Sequence, residues 1–196
     1  MQRVLMLSVS TVVVAWAASA VADSPSLMGD YGFTRTVRCI VSHTGFDMND
    51  RAETPFFGEA FAEEGHATFN GDGTATQSFR GLNIEIPSGN SGANSFRVTD
   101  QKFAYVVNGD GTWTIPGIGS LTGTVDSGPR AGQTFFISPV GSSLGHISTN
   151  AATLTLSTVT PTIETITYSS PIPDGYTTFY RICNRSSVEI SLPPGQ

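Results

Sequence analysis

The chain carries few residues able to do chemistry unaided: three histidines, two cysteines, sixteen acids and a single lysine, Lys102, among 196 residues. Gly141-Ser142-Ser143-Leu144-Gly145 matches Gly-x-Ser-x-Gly, and His146 follows at once. A nucleophile elbow sets that serine on a strand-to-helix turn, with its acid and histidine arriving later in the chain. Here residues 147–156 read as loop and strand and no histidine follows, so the segment reads as a flexible Gly/Ser turn. Asn-Gly-Asp-Gly occurs twice, at 70–73 and 108–111, and invites a calcium reading. In the matching loop register the first ligand would be Thr68 or Val106 and the closing acid Phe79 or Gly117, none of them a carboxylate. His43, His66 and His146 show no metal-ligand spacing. Paired carboxylates for glycoside hydrolysis meet only in a fold, and nothing in the chain singles out a pair. The sequence therefore nominates no catalytic residue, no metal ligand and no cofactor.

Binding candidates are easier to name. Gly128-Pro129-Arg130-Ala131-Gly132-Gln133 is a turn in which Arg130 could meet an anionic ligand, although such an arginine is more often solvated or paired with a surface acid. Phe79, Phe103, Tyr105, Trp113 and Phe135 supply a large apolar payload. In a small barrel these rings either fill the core, the preferred reading, or line a ligand cavity. With Arg130 they form the candidate ligand-binding set.

Two cysteines in an exported chain allow one intramolecular pairing, Cys39 with Cys183. A redox-active pair would want close Cys-x-x-Cys spacing, which is missing. The expected role is structural. Cys39 lies on the first good strand and Cys183 on one of the last, so a bridge predicts that the terminal strands lie side by side and that the sheet closes.

The elements around these residues read as strands. Val37, Cys39 and Val41 alternate with Arg38 and Ser42, and Leu82, Ile84 and Ile86 alternate with Asn83 and Glu85, the period of a β-strand. Further strands are expected at 96–107, 112–115, 121–125, 133–138, 152–159, 163–168, 177–183 and 188–192. The Asn-Gly and Asp-Gly pairs supply the positive φ values that tight hairpins need. Residues 54–66 admit two readings. Thr54 and Pro55 could cap and open a helix ended by Gly65, yet Phe57, Glu59, Phe61 and Glu63 also alternate, and the run into a hairpin turn favours a strand. The fold class expected is all-β: an antiparallel up-and-down barrel of about eight to ten strands, with a β-sandwich as the alternative.

Residues 1–22 carry Arg3, an uncharged apolar stretch to Ala18 and the small residues Ala20-Val21-Ala22, the order of a secretory signal peptide. The apolar run is shorter than the roughly 20 residues of a membrane-spanning helix. Removing it leaves 174 of 196 residues, enough for one domain at 23–196, and takes away one base and no acid, moving the formal charge from −6 to −7. That charge argues against nucleic acid as a partner. Secreted or periplasmic location is expected, with no stable membrane span after cleavage. An outer-membrane barrel is a minor alternative, disfavoured by the many prolines and by the terminal Pro193-Pro194-Gly195-Gln196. Asp47, Asp50, Glu53, Glu59, Glu63 and Glu64 form an acidic run whose usual meaning is a solvated surface.

Gly-Asp-Tyr-Gly-Phe at 29–33, Asn-Gly-Asp-Gly-Thr at 70–74, Gly-Pro-Arg-Ala-Gly-Gln-Thr-Phe at 128–135 and Tyr-Arg-Ile-Cys-Asn-Arg-Ser at 180–186 resemble uncharacterised exported bacterial proteins, a resemblance that implies no activity. In architecture the chain also resembles lipocalin, or calycin, barrels. Gly32-Phe33 stands where the lipocalin Gly-x-Trp signature would be, so no lipocalin binding residue carries over. The functional expectation is a non-enzymatic barrel holding a small, partly apolar ligand in its interior. Two alternatives stand beside it: a small isomerase or cyclase resembling allene-oxide-cyclase barrels, which needs a buried carboxylate or histidine facing an apolar pocket, and an envelope module acting through its acidic face.

Overall fold

Short-period alternation and Gly/Asn/Asp turns leave this chain little choice but strands, and strands are what it forms. The computed structural model describes residues 26–86, 92–171 and 175–193. The signal-peptide reading of residues 1–22 and the tail at 194–196 lie outside the described residues. Within them there are twelve strands and no α-helix. In chain order they are β1 (Met28–Ser42), β2 (Phe56–Asn70), β3 (Thr74–Ile86), β4 (Ala93–Ala104), β5 (Val106–Val107), β6 (Thr112–Ile115), β7 (Leu121–Ser127), β8 (Thr134–Ser138), β9 (Ser143–His146), β10 (Thr153–Thr158), β11 (Ile163–Tyr168) and β12 (Thr178–Ser191). Residues 54–66 resolve in favour of the strand, since all but the first two belong to β2.

Eight strands close an antiparallel barrel in the order β1-β2-β3-β4-β7-β8-β11-β12, and β12 returns to β1. This closure excludes the sandwich. The seam runs along nearly all of β1, from Tyr31 opposite Ser191 to Ser42 opposite Tyr180, and sets Cys39 directly against Cys183. Their disulfide is formed, with Cα atoms 4.1 Å apart. The expected pairing and the side-by-side terminal strands are both present. Between β4 and β12 the wall has two tiers. Thr178, Phe179, Tyr180, Arg181 and Ile182 of β12 pair with β11, whereas Ser186 to Ile190 pair with β10, which leads through β9 and β6 to β5. β5 continues β4 after Tyr105, whose N–H donates to the Gly73 carbonyl.

Both Asn-Gly-Asp-Gly segments are hairpin turns built alike. Asp72 accepts from the N–H and hydroxyl of Thr74, and Asp110 does the same for Thr112. Those donors hold both carboxyls below their ordinary range. Gly71, Gly73 and Gly111 have φ near +80 to +90°, the reason glycine stands there. The Gly-x-Ser-x-Gly segment is not only a turn: its last three residues belong to β9, and a Cβ on Gly145 would fall on the Thr155 carbonyl and the Trp113 ring.

The alternation in several strands runs opposite to the hydrophobic-inside rule. In β3 the side chains of Leu82, Ile84 and Ile86 are 44, 46 and 55 % exposed, while Asn83 and Glu85 are 5 and 6 % exposed. In β12 Val188 and Ile190 face out and Ser187 and Glu189 face in. On the outer wall Ile163, Ile182, Ile40, Gly58 and Ile86 are successive cross-strand neighbours. That wall also carries Arg38, Arg97 and the Glu64–Arg80 pair, so it is not a continuous apolar band of the kind a membrane barrel presents. No helix among the described residues is long and apolar enough to cross a membrane.

The apolar core is continuous through the interior. Towards the β5–β6 tier it is a tight aromatic group around Phe69, with the rings of Tyr31, Tyr105, Trp113 and Phe103 at 5.1 to 6.0 Å. Each polar tip is satisfied: Tyr31 donates to the Ala151 carbonyl, Tyr105 to Leu27 and Trp113 to Thr155.

Candidate functional site

Inside the barrel proper, next to the Phe69 group, lies a cavity of about 80 Å³. Its apolar wall comes from aromatic and aliphatic residues such as Phe61, Phe79, Phe96, Phe135 and Ile166, which point inward from β2, β3, β4, β8 and β11. Phe96 is the hub, edge-on to Phe61, Phe79 and Phe135 at 5.8 to 6.4 Å. Its polar wall includes Arg35, Arg130, Arg181, Arg185, Asn83, Asn94 and Ser187.

Every arginine on that wall is already paired. Arg35 lies 3.4 Å from Glu63, Arg130 2.9 Å from Glu85, Arg181 3.1 Å from Glu164 and Arg185 2.6 Å from Glu164. Arg181 also reaches Glu59 at 3.8 Å. Burying these charges is costly unless they pair, and for Glu164 and Arg181 the pairing outweighs burial. Burial alone would raise Glu164, which is fully enclosed, but Arg181 and Arg185 hold its carboxyl below the ordinary range. For Glu59 burial wins over Arg181 and Asn83, and the pKa is raised. Arg181, desolvated but facing two carboxylates, is pushed up.

Glu189 has no such partner among the described residues. It lies opposite Phe33 on one side and Leu154 on the other, one Oε makes no hydrogen bond, and burial lifts its pKa to about 7 with Arg35 offsetting only part. It does not line the cavity, but Ser187, two residues before it on the same face, does. The Ser187 hydroxyl also lacks a partner among the described residues.

The six ligand-site candidates divide between two places. Phe79, Phe135 and Arg130 come together on the cavity wall. Phe103, Tyr105 and Trp113 pack around Phe69 and line no part of it. Arg130 is not solvated. The turn that carries it folds over one end of the barrel, and its side chain, 3 % exposed, enters the interior under the Tyr168 ring, 4.5 Å from its centroid. The acidic run is likewise divided: Glu59 and Glu63 point inward, whereas Asp47, Asp50, Glu53 and Glu64 remain outside. The solvated-surface reading is corrected for the first two, because β2 alternates and their parity is that of Phe57 and Phe61.

No protein-family model matches the chain, and it is similar to no curated protein and no solved structure. Its function has to be read from the barrel itself. The three histidines remain apart: His43 packs against Phe57, Tyr176 and Phe179, and His66 and His146 are exposed on different strands. Among the described residues no three His, Cys, Asp or Glu side chains could hold a metal ion.

Sequence reasoning missed Arg35, Asn83, Asn94, Arg181, Arg185 and Ser187. A usable signal was present in strand parity. A disulfide half-cystine is ordinarily buried, and if Cys183 faces in, so do Arg181, Arg185, Ser187 and Glu189, while Cys39 brings Arg35 with it.

Proposed function

We propose that this chain is an exported, non-enzymatic β-barrel protein that binds a small, partly apolar molecule inside its wall. The observation that carries the reading is the interior cavity, lined by aromatic rings and by fixed polar groups, the composition typical of small-molecule sites. Its size limits the occupant. About 80 Å³ is well below the roughly 150 Å³ of an engineered cavity that takes benzene, so a ligand of only a few heavy atoms is implied. The disulfide supports export, since such bridges persist in oxidising compartments.

Native mass spectrometry of protein purified from its own host tests this reading, with a reproducible small-molecule adduct as the expected result. Xenon titration followed by ¹²⁹Xe NMR probes whether the cavity admits anything at all. Protein without an adduct whose cavity also refuses xenon would overturn the proposal.

One observation favours a second reading, a small isomerase or cyclase: Glu189 is a buried carboxyl with a pKa near neutrality beside a cavity-lining serine. As an acid–base group it would exchange a proton with a substrate reaching past Ser187. Incubating the protein with host metabolite extract and following isomeric products by chromatography would reveal turnover that Glu189→Gln abolishes. An unchanged metabolite profile would remove this reading.

A further inference from the structure

Asn83 and Asn94 are direct cross-strand partners on β3 and β4, both face inward, and both line the cavity. Each is anchored at one end of its amide. Asn83 donates through Nδ2 to Glu59 Oε1 at 3.0 Å, and Asn94 accepts at Oδ1 from the Arg130 backbone N–H at 3.2 Å. These anchors decide which way each amide points. The free ends are opposite in kind: Asn83 Oδ1 is an acceptor and Asn94 Nδ2 a donor, and neither has a partner among the described residues. The two side chains are only 5 and 4 % exposed. Buried polar groups are seldom left without partners, and each exception calls for an explanation.

Resting on the reading of the cavity as a ligand site, we infer that Asn83 and Asn94 recognise a neutral group presenting a hydrogen-bond donor beside an acceptor, the edge of a small primary or cis amide. Directly opposed strand residues have Cβ atoms about 5 Å apart, so the two free ends can address adjacent atoms of one planar group. The rings of Phe61, Phe96 and Phe135 would enclose its apolar remainder. A free anion fits less well. Arg35, Arg130, Arg181 and Arg185 all have carboxylate partners, so the four positive charges of the wall are answered from within the protein.

The test uses three probes of one size, acetamide, acetone and acetate, titrated into the full mature chain with ¹⁵N-resolved NMR of the Asn83 and Asn94 side-chain amides. Acetamide should move both resonances and saturate. Acetone keeps the acceptor but replaces the donor by a methyl group and should bind at least ten-fold more weakly, as should acetate. Asn83→Leu and Asn94→Leu should each abolish acetamide binding; where a variant fails to fold, the probe series on the native chain decides. Equal responses to acetamide and acetone would overturn the inference. So would xenon uptake without any response to acetamide, as expected if the two asparagines bond to each other, and that outcome leaves the cavity's binding role intact. Exclusion of both xenon and acetamide would overturn the inference and the binding reading together.

Discussion

Replacing Glu189 with Gln removes a charge that the native structure disfavours and leaves a side chain of nearly the same shape. Glu189 is lifted to about 7 from an ordinary 4.5, chiefly by desolvation. The groups that face it are Arg35 and Tyr31 from β1, with Phe33 and Leu154 beside it, and Arg35 is itself engaged by Glu63 and Gln77. A folded-state pKa above the unfolded value means that the native chain binds more protons between the two, so stability is full below about 4.5 and falls as pH rises towards 7. At about 1.4 kcal/mol per pH unit, the shift from 4.5 to about 7 amounts to roughly 3 kcal/mol, of which about 2.5 is lost between pH 5 and 9. Glu59 is shifted in the same direction and Glu164 in the opposite one, but both are present in wild type and variant, so the comparison isolates Glu189. Urea unfolding with the disulfide intact, at pH 5 and pH 9, should show the wild type losing about 2.5 kcal/mol more than Glu189→Gln between the two conditions. Equal losses in the two proteins would refute the reasoning, because they would show that Glu189 titrates alike folded and unfolded.

Cys39→Ala combined with Cys183→Ala opens a loop spanning a sequence separation of 144, for which loop entropy alone predicts a destabilisation of up to about 5 kcal/mol; denaturant midpoints of oxidised wild type and the double variant measure it. Arg130→Met strands Glu85 as an unpaired buried charge and should cost about 3–5 kcal/mol, most of it recovered by adding Glu85→Leu; a thermal-melt cycle of the three variants reads this directly. The inverted faces of β3 predict that Ile84→Thr, on the outer wall, changes stability by about 0.5 kcal/mol or less. Phe69→Ala, at the centre of the aromatic group, should cost about 3–5 kcal/mol in the same assay.

Most of the architecture was legible, because strand period and turn chemistry are local properties. The bounds of β6 and β11 agree with the sequence reading, and the Cys39–Cys183 bridge carried the topology with it. What was lost depended on partners distant in sequence. β12 read as two strands because Asn184-Arg185-Ser186-Ser187 has the composition of a turn, yet pairing with β1 on one edge runs straight through it. Residues 96–107 read as one strand because nothing in the composition marks Tyr105 as the point where the wall passes from β4 to β5. β9 was hidden in a Gly/Ser-rich segment whose Gly145 is required by the Thr155 carbonyl and the Trp113 ring lying against it. The candidate site suffered most. Alternation reports that two faces differ and is silent on which of them is inside, and here Asn83 and Glu85 took the interior in place of Leu82 and Ile84.

That inversion fills the barrel's interior with paired charges. Glu59, Glu63, Glu85 and Glu164 share the interior with Arg35, Arg130, Arg181 and Arg185, and each of the eight has an opposite charge within 4 Å. Replacing such pairs by apolar side chains is often neutral or stabilising, so their presence is not accounted for by stability alone. They do fix orientation. Glu59 holds the Asn83 amide with its acceptor free, and the turn that brings Arg130 to Glu85 also presents the backbone N–H that turns Asn94 the other way. The charges cancel one another and leave a matched donor and acceptor as the unspent polar groups on that part of the wall. On the proposed ligand-binding reading, a cavity built this way would discriminate by hydrogen-bond pattern and size, because a charged ligand would have to displace an existing ion pair before gaining one of its own.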